Sequence, residues 1–152
     1  MAATTYTYSS GMSKGAVLSS NNSNSKPHAK SNKVWTIIQI SDTHLMNRAE
    51  LQFVQMNPEQ SFHDVVRDIQ SRFPKLDAIV HTGDLAQVPV SATYERYLAF
   101  MQSWNVPHYQ IPGNHDNCEV FPFHQQTNRV HAIEFGTWTL VLLNSAVKGK
   151  VD

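Results

Sequence analysis

The sequence has 152 residues, of which 41% are apolar and 16% are charged, and it contains a single cysteine, Cys118. This length and composition fit one globular domain and exclude a disulfide scaffold, because one cysteine cannot form an intramolecular disulfide. The 12 basic and 12 acidic side chains give a formal net charge of zero, so no overall field attracts nucleic acid or an anionic membrane. We therefore expect no nucleic-acid or membrane partner. Because a lone cysteine gives no sign of an oxidising compartment, we predict a cytoplasmic protein.

The first 33 residues differ in composition from the rest of the chain. Residues 1–33 contain eight Ser, three Thr and four Asn, together with four of the 12 basic side chains and none of the acidic ones. Such a segment buries too little apolar surface to offset the entropy lost on ordering. We expect a disordered extension at 1–33 and a folded, net acidic region at 34–152.

Apolar runs and helical stripes alternate along the folded region. Strands are predicted at 34–40, 76–82, 106–111 and 138–143. The first helix is predicted over 62–73, with Ser61 as N-cap and Asp64 completing a capping box, and the second carries an apolar stripe over 94–101 after Ser91. This alternation is typical of an α/β fold with right-handed crossovers and a largely parallel sheet.

Three polar clusters directly follow the first three predicted strands. They are Asp42-Thr43-His44, Gly83-Asp84 and Gly113-Asn114-His115-Asp116. Because ligands bind at the carboxyl ends of parallel strands, we expect the three clusters to converge on one site. Carboxylate oxygens and imidazole nitrogens suit manganese, iron or zinc better than calcium or magnesium. The sequence therefore predicts a site for a pair of divalent metal ions.

A structural explanation of the same residues is also available. Asp42 and Asp84 could cap the helices that follow them, and His44 could be a hydrogen-bonded loop residue. Against this, Gly-Asn-His-Asp directly after a strand is rare by chance in a chain of this composition, although an Asp-x-His pair is not. The combination favours the metal site.

The three clusters, in this order and at these spacings, resemble the first three motifs of the calcineurin-like metallophosphoesterases. A finer resemblance, to the bacterial class III 3′,5′-cyclic AMP phosphodiesterases, rests on Ile40-Ser41-Asp42-Thr43-His44-Leu45, Asn57 with Ser61-Phe62, Gly83-Asp84-Leu85-Ala86-Gln87 and Ile111-Pro112-Gly113-Asn114-His115-Asp116. It implies a two-sheet sandwich flanked by helices, truncated here to roughly its first half. Residues 34–152 would then be the N-terminal part of a calcineurin-like phosphoesterase domain.

The resemblance also implies a role for each matching residue. Asp42 and His44 would bind the first metal, Asp84 would bridge both metals, and Asn114 would bind the second metal while contacting the phosphate. A carboxylate shared by two cations suits a spacing of about 3.5–4 Å, at which both cations neutralise the reacting phosphate.

Two further residues are implied to take part in catalysis. His115 would face the scissile ester, bind the substrate and donate a proton to the leaving oxygen. Asp116 would orient the His115 ring as a hydrogen-bonded carboxylate.

The family's remaining motifs are a histidine after a further strand and a Gly-His-x-His segment, and this sequence contains neither after Asp116. The second metal would then have only Asp84 and Asn114 as protein ligands, and two ligands rarely hold a catalytic metal tightly. We expect the chain to be a fragment of a longer metallophosphoesterase. One apolar face of its sheet would be uncovered, with self-association as the consequence.

Three functions follow from these observations. The first is metal-dependent hydrolysis of a small phosphodiester, with 3′,5′-cyclic AMP as the expected substrate. The second is a catalytically silent domain that binds a metal or a partner, since the distal histidine ligands are missing and the chain alone can be inactive. The third is another phosphoesterase such as a nuclease, which the acidic folded region disfavours.

Overall fold

The computed structural model describes residues 2–8, 33–122 and 130–147. In chain order its elements are β1 (Ala2–Tyr8), β2 (Trp35–Ser41), α1 (Pro58–Arg72), β3 (Ala78–His81), α2 (Ser91–Ser103), β4 (His108–Gln110), β5 (Val130–Phe135) and β6 (Trp138–Leu143). The predicted α/β alternation is confirmed from β2 to β4.

The main sheet has four strands in the order β1-β2-β3-β4. Strands β2, β3 and β4 are parallel, with Ile38 opposite Ile79 and Val80 opposite Tyr109. Because α1 and α2 form the connections between these strands, all three strands end at the same edge of the sheet.

Strand β1 is a difference from the sequence-based expectation. Ala2–Tyr8 pairs antiparallel with the whole length of β2, with Thr5 opposite Ile38, whereas disorder was expected throughout 1–33. Threonine and tyrosine, which are frequent in this segment, favour strands, and the pairing satisfies backbone groups at the edge of β2. Residues 9–32 lie outside the described residues, so the expectation for them stays a prediction.

Both helices pack on one face of the sheet. That face presents Ile38, Ile40 and Ile79, all of them buried. The helical side chains packed in the same cluster are Phe62, Val66, Ile69, Tyr94, Tyr97 and Met101. Each such side chain contributes about 1.5–3 kcal/mol by leaving water, so burial of this cluster stabilises the sheet that carries the polar loops.

Helix α1 begins earlier than predicted. Its N-cap is Asn57, whose Oδ1 accepts a hydrogen bond of 2.9 Å from the backbone N–H of Gln60, and Pro58 occupies the first turn. The predicted cap, Ser61, instead donates its hydroxyl proton to the Asn57 carbonyl. The prediction was wrong because it began the helix at its first apolar residue, whereas Asn followed by Pro is itself a start signal.

Strands β5 and β6 form a second, two-stranded antiparallel sheet. It packs on the other face of the main sheet, where Ile133, Phe135 and Leu142 join Ala78 and Val80 in a second buried cluster. The expectation of an uncovered face is therefore wrong where the hairpin lies, and helices, sheet and hairpin form the layers of the predicted sandwich. Self-association stays a prediction. Within the described ranges, neither helix has the length and apolar character needed to cross a membrane.

Candidate metal centre

The loops that follow β2 and β3 are hydrogen-bonded to each other. The backbone N–H of Asp42 donates to the carbonyl of Gly83 at 3.1 Å, and that of His44 donates to the carbonyl of Asp84 at 3.0 Å. Two clusters that lie far apart in sequence therefore form one continuous surface at the carboxyl edge of the sheet, as predicted from the topology.

The loop after β4 joins the same surface through its glycine. A Cβ atom on Gly113 would lie 2.1 Å from Oδ1 of Asp84, and one on Gly83 would lie 2.8 Å from the Cα of Gly113. Only glycine permits this approach. It lets the backbone N–H of His115 donate to Oδ1 of Asp84 at 2.9 Å. The glycines of both motifs are thus required by packing around the Asp84 carboxylate.

Asp42, His44 and Asp84 each offer one ligand atom, and these three atoms lie within 4.8 Å of one another. Nε2 of His44 is 3.7 Å from Oδ1 of Asp42 and 4.0 Å from Oδ2 of Asp84. These distances are too long for hydrogen bonds. They fall below the roughly 4.2 Å that two ligands at about 2.1 Å from a common metal can span. Nε2 of His44 can therefore share a divalent cation with the carboxylate of Asp42 or of Asp84.

Gln87 orients the His44 ring in this cluster. Nδ1 of His44 lies 3.0 Å from Oε1 of Gln87, and an amide oxygen can only accept, so Nδ1 carries the proton. In the neutral ring, a proton on Nδ1 directs the Nε2 lone pair toward the two carboxylates, as an imidazole ligand of a metal requires. The sequence places Gln87 in a motif, but nothing in its pattern indicates this contact with His44.

Charge and backbone conformation also distinguish the cluster. Among the described side chains, no lysine or arginine forms an ion pair with Asp42 or Asp84, and both carboxylates face Nε2 of His44. Asp42, His44 and Asp84 have φ values of 59°, 46° and 53°, in the left-handed region that side chains other than glycine seldom adopt. Such strain, typically about 1–3 kcal/mol per residue, is concentrated at functional sites.

The structural explanation of these aspartates is not supported. Helix α1 is capped by Asn57, and the N-cap position of α2 is Val90, which makes no side-chain cap hydrogen bond. Neither Asp42 nor Asp84 therefore caps a helix, and their convergence needs another reason.

Asn114 and His115 lie beside the cluster on the β4 loop. Asn114 is half-buried between Gly113 and His115, the two residues whose backbones approach Asp84. The His115 ring is exposed, and its centre lies 5.0 Å from that of the His44 ring in an edge-to-face arrangement. The structure thus brings the third predicted cluster to the same site, with an imidazole at its solvent-facing rim.

Asp116 has a different role from the one expected. It is buried, and its carboxylate binds other groups than the His115 ring. Its donors are the backbone N–H groups of Leu85, Ala86 and Gly113 and the hydroxyl of Tyr94. Burial raises the pKa of Asp116, while these hydrogen bonds act to lower it. Asp116 therefore ties the β3 and β4 loops together, and the expectation that it orients His115 is corrected.

His81 lies beneath the site at the end of β3. It is fully buried, with Nε2 3.1 Å from the hydroxyl of Thr43 and Nδ1 accepting from the backbone N–H of Gly83 at 3.4 Å. Burial lowers the pKa of His81 to about 3, so the ring is neutral. It supports the first loop from within the core through its contact with Thr43.

The parallel strands β2 and β3 thus carry the carboxylate and imidazole cluster at their carboxyl ends. The family model of the calcineurin-like phosphoesterases matches residues 36–150, which is well over half of the chain. The chain belongs to this family.

Curated relatives give a finer comparison. A protein of Arcobacter nitrofigilis named probable glycerophosphodiester phosphodiesterase is 27% identical over 122 residues, which covers 75% of this chain and 45% of the relative. The 3′,5′-cyclic adenosine monophosphate phosphodiesterase of Haemophilus influenzae is 32% identical over 120 residues, covering 76% and 44%. The enzyme of the same name from Escherichia coli K12 is 38% identical over 80 residues, covering 53% and 29%. The chain thus spans less than half the length of these relatives.

Proposed function

We propose that this chain carries the first part of a metal-dependent phosphodiester hydrolase that acts in the cytoplasm on 3′,5′-cyclic AMP. The observation that carries the proposal is the His44 ring, whose Nδ1 is bonded to Gln87 while Nε2 faces the carboxylates of Asp42 and Asp84. Family membership supports the reaction class, and the names of two relatives support the cyclic nucleotide.

The donor set assigns residues to two divalent ions, for which manganese, iron and zinc are the candidates. Asp42 and His44 would hold the first, Asn114 the second, and Asp84 both. Oδ1 of Asp84 already accepts from His115, which leaves Oδ2 as the oxygen available toward His44. When bound, such ions lower the pKa of water and offset the negative charge of the phosphoryl oxygens.

The remaining steps belong to side chains of the β4 loop. The Asn114 amide would donate a hydrogen bond to a phosphate oxygen and so fix its orientation. His115, exposed at the rim and edge-on to His44, would donate an imidazole proton to the leaving oxygen. Asp116 would keep both residues in place by holding the β4 loop against the β3 loop.

A second candidate function is a catalytically silent domain that binds a metal or a partner. It is favoured by the ligand count, because among the described residues only Asp42, His44 and Asp84 form a group of three possible ligands. Asp84 and Asn114 alone are a weak set for a second ion. A nuclease has no comparable support, since the folded region is acidic.

The test is hydrolysis by the purified chain with added Mn²⁺, with Asp84→Asn as the blank. The substrates are 3′,5′-cyclic AMP, a glycerophosphodiester and single-stranded DNA. Release of 5′-AMP above the blank supports the proposal, and faster cleavage of either other substrate overturns the cyclic nucleotide assignment. A folded chain that binds Mn²⁺ and hydrolyses none of them is the silent domain.

A further inference from the structure

An apolar turn adjoins the metal cluster on the side of α1. A cavity of about 200 Å³ is lined by Asp42 and His44 together with Phe53, Val54 and Met56. Val54 is 76% exposed and Met56 is 59% exposed. Large apolar side chains and two candidate metal ligands thus line the same cavity.

The turn holds these side chains outward in a defined conformation. Phe53 and Met56 exchange backbone hydrogen bonds of 2.8 and 3.0 Å. The two residues between them, Val54 and Gln55, have φ values of 48° and 62°. Positive φ at both central positions defines a type I′ turn, in which Asn and Gly are favoured and a β-branched residue is costly. Valine at position 54 is therefore unfavourable for forming this turn.

Side-chain bonds fix the segment that carries the turn. Nδ2 of Asn57 donates to the Ala49 carbonyl at 3.0 Å while its Oδ1 caps α1. Arg96 on α2 binds Glu59 through Nε at 3.0 Å and also donates to the Met46 carbonyl. A surface held from both ends loses little entropy when it binds a ligand.

We propose that the Phe53–Met56 turn binds the flat organic group of the substrate, the purine base of a nucleotide, while the phosphate lies at the metal cluster. This inference rests on the proposed function. The cavity is continuous from His44 to the turn, and the Phe53 ring lies 5.7 Å from the His44 ring. A nucleotide combines an anionic phosphate with a flat, weakly polar base, which matches a lining that contains both metal ligands and apolar side chains. The turn would then determine which phosphodiester is bound.

The experiment compares two ligands that differ only in the base. The Mn²⁺-loaded chain is titrated calorimetrically with 5′-AMP and with ribose 5-phosphate. The test variant is Val54→Asn combined with Met56→Gln, because asparagine suits a type I′ turn and glutamine keeps the length of methionine while both remove apolar surface. The control is Val141→Ser, which removes a 48% exposed valine from β6.

We expect the wild type and the control to bind 5′-AMP more tightly than ribose 5-phosphate. In the test variant 5′-AMP should bind about tenfold more weakly, as loss of roughly 50 Å² of apolar contact implies, with ribose 5-phosphate and Mn²⁺ binding unchanged. Equal affinity of the wild type for both ligands overturns the proposal, as does unchanged 5′-AMP binding in the variant. A wild-type dimer that the variant abolishes, seen by sedimentation, would make a second copy the occupant and also overturn it.

The outcome is separable from that of the proposed function. Binding that depends on the turn without hydrolysis refutes the activity and retains the base site. Hydrolysis of cyclic AMP, together with 5′-AMP binding that the turn variant leaves unchanged, supports the activity and refutes the base site.

Discussion

Nδ1 of His44 and Oε1 of Gln87 lie 3.0 Å apart, although 43 residues separate them in sequence. The contact exists because the loops after β2 and β3 are hydrogen-bonded along their length. It fixes both the tautomer and the direction of the imidazole, so that Nε2 faces Asp42 and Asp84 before any cation binds.

Removal of the Gln87 acceptor should weaken metal binding. Gln87→Leu leaves the Nδ1 proton without its partner, and we expect Mn²⁺ affinity to fall about 10- to 100-fold. Gln87→Glu keeps an acceptor and should retain the affinity. Calorimetric titration measures both, with the exposed Gln70→Leu on α1 as the control. Equal affinities of Gln87→Leu and wild type would refute the orienting role.

A methyl side chain at Gly113 should weaken metal binding more than a methyl side chain at Gly136. In Gly113→Ala the new Cβ would lie 2.1 Å from Oδ1 of Asp84, so the carboxylate must move and Mn²⁺ affinity should fall at least about tenfold. Gly136→Ala places its Cβ no closer than 3.5 Å to the Trp35 ring. It should cost only the left-handed strain, about 1–2 kcal/mol of unfolding free energy, with metal binding intact.

Asp116 should prove to be a stability residue. In the wild type, four donors bind the Asp116 carboxylate. In Asp116→Asn an amide group replaces this carboxylate, so the hydrogen bonds are weakened or lost. We expect the free energy of unfolding to fall by about 3 kcal/mol. Asp68→Asn, which removes an exposed ion pair with Arg72, should cost less than about 0.5 kcal/mol. Urea denaturation compares the two. If Asp116→Asn leaves stability intact and slows only catalysis, the orienting role expected from the sequence is restored.

His81 should make stability depend on pH. Its pKa falls from 6.5 to about 3 on folding because the ring is buried, so between these values the unfolded chain binds a proton that the folded chain does not. Stability should therefore decrease as pH falls through this window, with His81 contributing a slope of up to about 1.4 kcal/mol per pH unit. His81→Gln lacks this contribution. Urea denaturation of both proteins from pH 4 to pH 7 measures it, and identical slopes would contradict a buried neutral ring.

Local sequence patterns predicted β2, β3, β4, β6 and both helices, because buried parallel strands and amphipathic helices have distinct periodicities. They missed β5, although Gly136-Thr137 between two runs is a hairpin signal. They also missed β1, because the polar composition of residues 1–33 outweighed the local strand preference of Ala2–Tyr8.

The convergence of Asp42, His44 and Asp84 followed from the topology, since each residue comes directly after a parallel strand. The hydrogen-bond partners of the site residues could not be predicted from the topology. The Gln87 contact and the four donors to Asp116 depend on how three loops pack against one another. Residues that are adjacent in sequence, such as His115 and Asp116, need not interact through their side chains.

The central claim is that Asp42, His44 and Asp84 form a metal site, and binding of Mn²⁺ to the chain tests it without requiring catalysis. Calorimetric titration of the wild type should show saturable binding, and Asp84→Asn, which keeps the shape of the side chain and removes its charge, should abolish it while the protein stays folded. Equal binding by Asp84→Asn, or none by the folded wild type, would contradict the account.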